Sequence, residues 1–203
     1  MAKWVCRMTM VFEGLVSTVD PGGGRHLAPM GPRFVSGEGD PFFELAPFQG
    51  SSTLKNLLAH RQGVFHVTDQ VLLFAQALQG LAQPEWLPAT KIVGWVVSGS
   101  CRALEFTVVE ADVQGQRSRL TCRVEHRHTF REMGAFNRAR HAVIEGAILA
   151  SRRHLIPLTE LDKQFSALAP LVEKTGGKDE KTAFGLLLEC VARTTEPSSV
   201  AHP

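Results

Sequence analysis

Residues 42–77 read FFELAPFQGSSTLKNLLAHRQGVFHVTDQVLLFAQA, and the fold class turns on how this run is parsed. Phe42–Phe48 is short and apolar, bounded by Pro41 and Gly50, which predicts a strand. Gln49–Thr53 is a turn whose hydroxyls suit a helix cap. Leu54–His60 continues as the helix, with Leu54, Leu57 and Leu58 on one face. Gly63 is placed to end it, and Val64–Thr68 reads as a second strand. The helix start at Ser51, Ser52 and Thr53 offers free N–H groups, hydroxyls and the positive end of a dipole, which together accept an anion. Lys55 and Asn56 add a cation and an amide. An ordinary capped helix explains the same residues.

Working outward toward the start of the chain, Val5–Val19 reads as a strand with Met8, Met10, Phe12 and Val16 facing inward. Asp20–Gly24 is a turn. Its three glycines precede no helix, so they are not a dinucleotide fingerprint. Arg25–Met30 is a short strand running to Gly31–Pro32. Ala28, Met30 and Gly31 leave room for a flat ligand against the backbone, and a tight bend explains the Gly and Pro equally well.

Toward the C-terminus, Asp69 is placed to cap a helix over Gln70–Leu81. Ala82–Ala89 is a loop carrying Trp86, and Lys91–Val97 a strand. Cys101–Val113 and Arg117–His128 alternate as an antiparallel hairpin. Leu120, Cys122, Val124, His126 and His128 share one face of its second strand. Asn137–Leu155 is helical. Arg138, His141, Glu145 and Arg152 form a narrow polar stripe among small and apolar residues. That stripe is either a solvated edge or a polar network with a task. Thr159 and Asp162 resemble a capping box opening a helix to Glu173, and Asp179–Arg193 is a last helix. The order of elements is α+β: a small barrel or curled sheet followed by helices.

Hydrophobic residues are 44% and charged residues 21%, as in a globular chain, and 22 basic residues nearly balance 20 acidic ones. No basic stripe interleaved with aromatics points to nucleic acid. Lys3, Arg7 and Glu13 interrupt the first apolar run, so neither a signal peptide nor a membrane span is expected. Cys6, Cys101, Cys122 and Cys190 are widely spaced and form no CxxC pair, which predicts buried thiols in a reducing cytoplasm.

Several pieces carry a family resemblance: His26–Gly31 (HLAPMG), Leu45–Phe48 (LAPF), Ser52–Asn56 (STLKN), Val64–Asp69 (VFHVTD), Phe136–Glu145 (FNRARHAVIE) and Lys174–Gly177 (KTGG). Their order and spacing resemble the FMN-binding split-barrel superfamily of flavin reductases and pyridoxamine phosphate oxidases. They are closest to the domain-of-unknown-function family numbered four-four-seven. The resemblance implies an antiparallel split β-barrel followed by a helical C-terminal part. It divides the chain into a flavin-binding barrel over 1–135, helices packed on it over 136–193, and a disordered tail over 194–203. It further implies a cytoplasmic homodimer with FMN near the subunit interface. The phosphate falls to Ser51, Ser52, Thr53, Lys55 and Asn56, and the isoalloxazine ring to Ala28, Pro29, Met30 and Gly31. Arg138, His141 and Glu145 become candidates for catalysis on a small-molecule substrate. A nicotinamide, deazaflavin or pterin can supply the electrons, and no residue selects among them. The expected function is that of an FMN-dependent oxidoreductase. A flavin-binding module without turnover is the alternative, and a metal enzyme built on His126, His128, His141 and Glu145 is a third reading.

Overall fold

A computed structural model describes residues 10–34, 39–115 and 118–193. The chain divides into two compact units, one holding the described residues up to Asp69 together with Gln83–Met133, the other Gln70–Ala82 and the described residues from Gly134.

The first unit contains β1 (Met10–Val11), β2 (Gly14–Val19), β3 (Arg25–Met30), β4 (Arg33–Phe34), β5 (Phe42–Leu45), α1 (Ser52–His60), β6 (Gln62–Val67), β7 (Trp86–Pro88), β8 (Trp95–Val97), β9 (Arg102–Asp112) and β10 (Arg119–Thr129). Eight strands form one antiparallel sheet in the order β1-β4-β5-β10-β9-β6-β2-β3, curled as a split barrel, and β7 pairs with β8. The hairpin of β9 and β10 forms, but a register shift between Val124 and His126 breaks its alternation: Leu120, Cys122 and Val124 face the core of Phe106, whereas His126 and His128 lie opposite Glu105 and Ala103 on the other face.

Strand β9 is buried on both faces. Leu104, Phe106 and Val108 enter a core with Phe34, Phe43, Phe65 and Leu120, against which α1 sets Leu54 and Leu57. The Phe43 and Phe106 rings meet edge to face, with centroids 5.2 Å apart. On the other face, Ala103 of β9 packs with Val64, Ile92 and Val96.

Several expected boundaries move. Gly63 does not end α1; Arg61 does, at φ 54°. Gly63 lies within β6, where a Cβ would stand 2.7 Å from the Phe106 ring and 3.0 Å from the Ser17 carbonyl oxygen. The Phe42–Phe48 strand stops at Leu45, ahead of Pro47, which has no N–H for a ladder. The expected loop around Trp86 is a strand, and Lys91–Gly94 is not, because the N–H groups of Lys91 and Ile92 go to the Glu105 carboxylate. Met10 is 53% exposed instead of inward, while Val16 is fully buried. Met8, Cys6, Arg117 and the 194–203 tail lie outside the described residues. Cys101, Cys122 and Cys190 are buried free thiols.

The second unit comprises α2 (Val71–Leu78), α3 (Arg138–Ser151), α4 (Leu158–Thr175) and α5 (Lys178–Ala192). Val71 and Ala75 of α2 share its core with Ala139, Ala142, Val143 and Ala147 of α3, Phe165 of α4 and Leu187 of α5. Small residues on α3 permit this close approach; a Cβ at Gly146 would lie 3.3 Å from Leu187 and Phe165. Asp69 does not cap α2, which starts at Gln70 without a side-chain cap. Asp69 instead pairs with Arg131. The Thr159–Asp162 box does not form either, since α4 is capped two residues earlier, at Pro157. The reciprocal bond appears at α5, where the Gly177 N–H donates to Glu180 Oε2 (2.9 Å). Among the described residues, no helix is long and apolar enough to cross a membrane.

Candidate functional site

The start of α1 is built as its sequence requires. Ser51 is the N-cap; its Oγ accepts from the Leu54 N–H (3.2 Å) and donates to the Phe48 carbonyl (2.8 Å). The N–H groups of Ser52 and Thr53, in the first turn, have no intrahelical carbonyl to reach. Ser52 and Lys55 are exposed, whereas Thr53 is 2% exposed. The first turn carries no acid, and Lys55 lies just behind it, the reverse of what the helix dipole favours by itself. An anion at this end relieves that mismatch. Hydroxyls, free amides and a nearby ammonium are the donor set that a terminal phosphate takes. Asn56 is turned inward and buried, donating from Nδ2 to Thr18 Oγ1 of β2 (2.9 Å), so it anchors the helix to the sheet.

Beside α1 runs β3, which ends the sheet, so among the described residues one edge of its backbone carries no ladder. Ala28, Pro29, Met30 and Gly31 are all half-buried. Gly31 has a packing reason of its own, since a Cβ there would meet Val11 at 2.7 Å. Alternation puts His26 on the same face of β3 as Ala28 and Met30. His26 Nε2 lies 3.2 Å from Thr53 Oγ1. Burial lowers its pKa, with Asp20 partly opposing, so the ring is neutral near pH 7. Helix α1 and strand β3 thus meet through His26, which the sequence reading included in the HLAPMG piece without giving it a role. Its period-two spacing from Ala28 and Met30 was the available signal.

The face of the sheet lined by Val64 and Ala103 carries a second polar arrangement. His66 is fully buried, with Nε2 3.0 Å from Ser17 Oγ and Nδ1 3.4 Å from Ser100 Oγ. Ser17 Oγ donates to the Trp95 carbonyl (2.6 Å), so it must accept from His66 Nε2–H, which leaves Nδ1 to accept from Ser100. Glu105, also fully buried, accepts from the N–H groups of Thr90 (2.6 Å), Lys91 (2.6 Å) and Ile92 (3.2 Å) and from His128 Nε2 (2.6 Å). Burial pushes the Glu105 pKa up, but these bonds outweigh it and the net shift is downward. Arg25 stacks over the Trp95 ring at 3.6 Å. The His126 and His128 rings meet edge to face, and His128 stacks on Phe130. Among the described residues, no three His, Cys, Asp or Glu side chains are placed to hold a metal ion.

In the helical unit, Asn137 caps α3, accepting from the N–H groups of Ala139 and Arg140. Arg138, His141 and Glu145 are all exposed on that helix, and the His141 ring lies 5.8 Å from the Phe136 ring. The stripe is open to solvent in the single chain, the solvated edge that was one of its two readings from sequence.

Fold and geometry define a split-barrel protein with a hydroxyl-capped, acid-free helix start beside its edge strand. The chain belongs to the family described as protein of unknown function (DUF447): the N-terminal domain of that family matches residues 12–131, and its C-terminal part matches residues 137–189. The chain is similar to an FMN-bound protein of this family from Methanosarcina mazei, at 20% identity and a TM-score of 0.77, covering 90% of this chain and 96% of that one. It is also similar to a putative flavin reductase from Haemophilus somnus (14% identity, TM-score 0.51, covering 61% and 82%). The styrene monooxygenase flavin reductase of Pseudomonas putida is comparable (14% identity, TM-score 0.50, covering 60% and 82%). At these identities the likeness is one of fold. No curated protein matches the sequence.

Proposed function

We propose that this protein binds FMN and works as a flavin-dependent oxidoreductase on a small molecule. The observation that carries the reading is the start of α1, with Ser51 as cap, free N–H groups at Ser52 and Thr53, Lys55 behind them and no acid in the turn. A single hydroxyl-rich helix start suits one terminal phosphate better than the diphosphate of FAD. Ser52, Thr53 and Lys55 bind the phosphate, and Asn56 fixes their helix on β2. The backbone of Ala28, Pro29, Met30 and Gly31 receives the isoalloxazine ring on the open edge of β3. FMN, when bound, supplies the hydride and electron chemistry, and the protein supplies position and surroundings. The FMN in the Methanosarcina mazei relative supports the choice of cofactor.

On α3, His141 is the group we assign to proton exchange with the substrate. Glu145, one turn on, supports its charge, and Arg138 holds an anionic substrate group. The working form is a homodimer with FMN near the subunit interface. Exposed apolar side chains such as Met10 and Val11 on β1 support association. A nicotinamide, deazaflavin or pterin serves as electron donor.

The test is a visible spectrum of the purified protein, mass identification of the released ligand and light scattering of the loaded form. FMN in a dimer is the expected result. Recovery of FAD alone, or no affinity for FMN, overturns the reading.

A further inference from the structure

We propose that His26 is a positioning residue for the flavin phosphate: it fixes the Thr53 hydroxyl so that its hydrogen points to the ligand. This rests on the FMN reading above and adds to it a residue outside the α1 donor set. Three features carry it. Thr53 is buried to 2% exposure on the first turn of α1, and its Oγ1 has the ring nitrogen of His26 at 3.2 Å. His26 stands on the same face of β3 as Ala28 and Met30, so the strand that takes the ring also carries the group that orients the phosphate donor. The first turn has no acid to take the Thr53 hydrogen.

The hydrogen bond between His26 and Thr53 can run in two directions, and only one serves an anion. If Thr53 donates to an unprotonated Nε2, its hydroxyl presents a lone pair to the phosphate and repels it. If Nε2–H donates to Thr53 Oγ1, the hydroxyl hydrogen is released toward the phosphate, and the two bonds polarise each other in sequence. An anion at the start of α1 therefore selects the Nε2–H tautomer. Removing the imidazole leaves the Thr53 hydroxyl free to rotate, so part of the phosphate contact is lost although Thr53 itself remains. Glutamine at this position puts an amide N–H where Nε2–H stood. Leucine fills the space with no donor.

The experiment compares FMN and riboflavin affinities of the full chain by flavin fluorescence quenching. It uses wild type, His26→Leu, His26→Gln, Thr53→Val and the double variant His26→Leu/Thr53→Val. His26→Leu should weaken FMN by about tenfold, as for one hydrogen bond to a charged group. Riboflavin affinity should stay unchanged, because riboflavin lacks the phosphate. His26→Gln should restore most of the loss. The double variant should be no weaker than Thr53→Val alone, because the histidine acts through that hydroxyl. Equal losses for FMN and riboflavin in His26→Leu, or strictly additive effects in the double variant, overturn the role of His26. A wild type that prefers FMN while His26→Leu keeps the same FMN-to-riboflavin ratio overturns only this inference. A wild type that binds both flavins equally overturns the phosphate site and this inference with it. If His26→Leu fails to fold, the His26→Gln and Thr53→Val comparison decides, since a glutamine variant that loses FMN as fully as Thr53→Val contradicts the donor role.

Discussion

The buried imidazole of His66 ties folding stability to pH. Burial, with a further push from nearby His128, holds its pKa down to about 3, against 6.5 for the free side chain. Neutral His66 donates to Ser17 and accepts from Ser100; a charged ring would have to turn the Ser100 hydroxyl around in a site closed to water. Between the two pKa values the unfolded chain binds the extra proton and the folded chain does not. The stabilisation is therefore intact above pH 6.5, falls as the pH falls through that window, and is gone by about pH 3. At about 1.4 kcal/mol per pH unit, moving from about pH 7.5 to about pH 5 should remove about 2 kcal/mol. His26, whose pKa is also lowered, adds in the same sense. Glu105 and Glu180 have lowered pKa values and act only below the ordinary carboxylate range, outside this interval. Urea unfolding of wild type and His66→Gln at both pH values isolates the term. The variant should lose about 2 kcal/mol less than wild type on acidification. Equal losses in the two proteins, or a His66 ring that titrates near pH 6.5 by NMR, would refute the reasoning.

Three further outcomes are expected. The triple substitution Ser52→Ala, Thr53→Ala, Lys55→Ala should weaken FMN binding by more than about tenfold while the chain stays folded, since each charged hydrogen bond is worth about 1.5–3 kcal/mol; unchanged affinity by titration would place the phosphate elsewhere. Glu105→Ala strands the N–H groups of Thr90, Lys91 and Ile92 and the His128 ring, and should destabilise the chain by about 3 kcal/mol or more in urea unfolding; a loss below about 1 kcal/mol counts against the clamp. His141→Gln should leave flavin content unchanged and slow reoxidation by the substrate by about 100-fold, in the range for a lost acid–base group; normal turnover in stopped-flow measurements removes His141 from the reaction.

The elements that stand out in the chain are those whose burial repeats along it. Alternation from Leu120 through Val124 is enough to place β10 and to pair it with β9, because a strand buried on one face writes a period of two into its residues; the bulge that turns His126 and His128 to the other face left no mark in that pattern. The Ser51 cap is equally local, since its oxygen reaches a backbone N–H three residues away. The donors proposed for the phosphate are adjacent for the same reason, all within one turn. Trp86–Pro88 gave no such signal: a three-residue strand that itself ends on a proline is too short for a period and exists because Trp95–Val97 lies opposite.

What the sequence by itself determined is the class: α+β, an antiparallel barrel and then helices, with one hydroxyl-rich helix start. These follow from periodicity and capping, which act over a few residues. Tertiary structure alone decided the pairing of His26 with Thr53, 27 positions apart, and of Ser17 with His66, 49 apart. It also decided that Glu105 would take three N–H groups from Thr90–Ile92 and keep Lys91–Gly94 out of a strand, and that α2, lying among strands in the chain, would share a core with α3 to α5. A buried polar group takes whichever partner the fold brings within about 3 Å. That distance is set by how strands register and helices dock, which residue identities along the chain leave open.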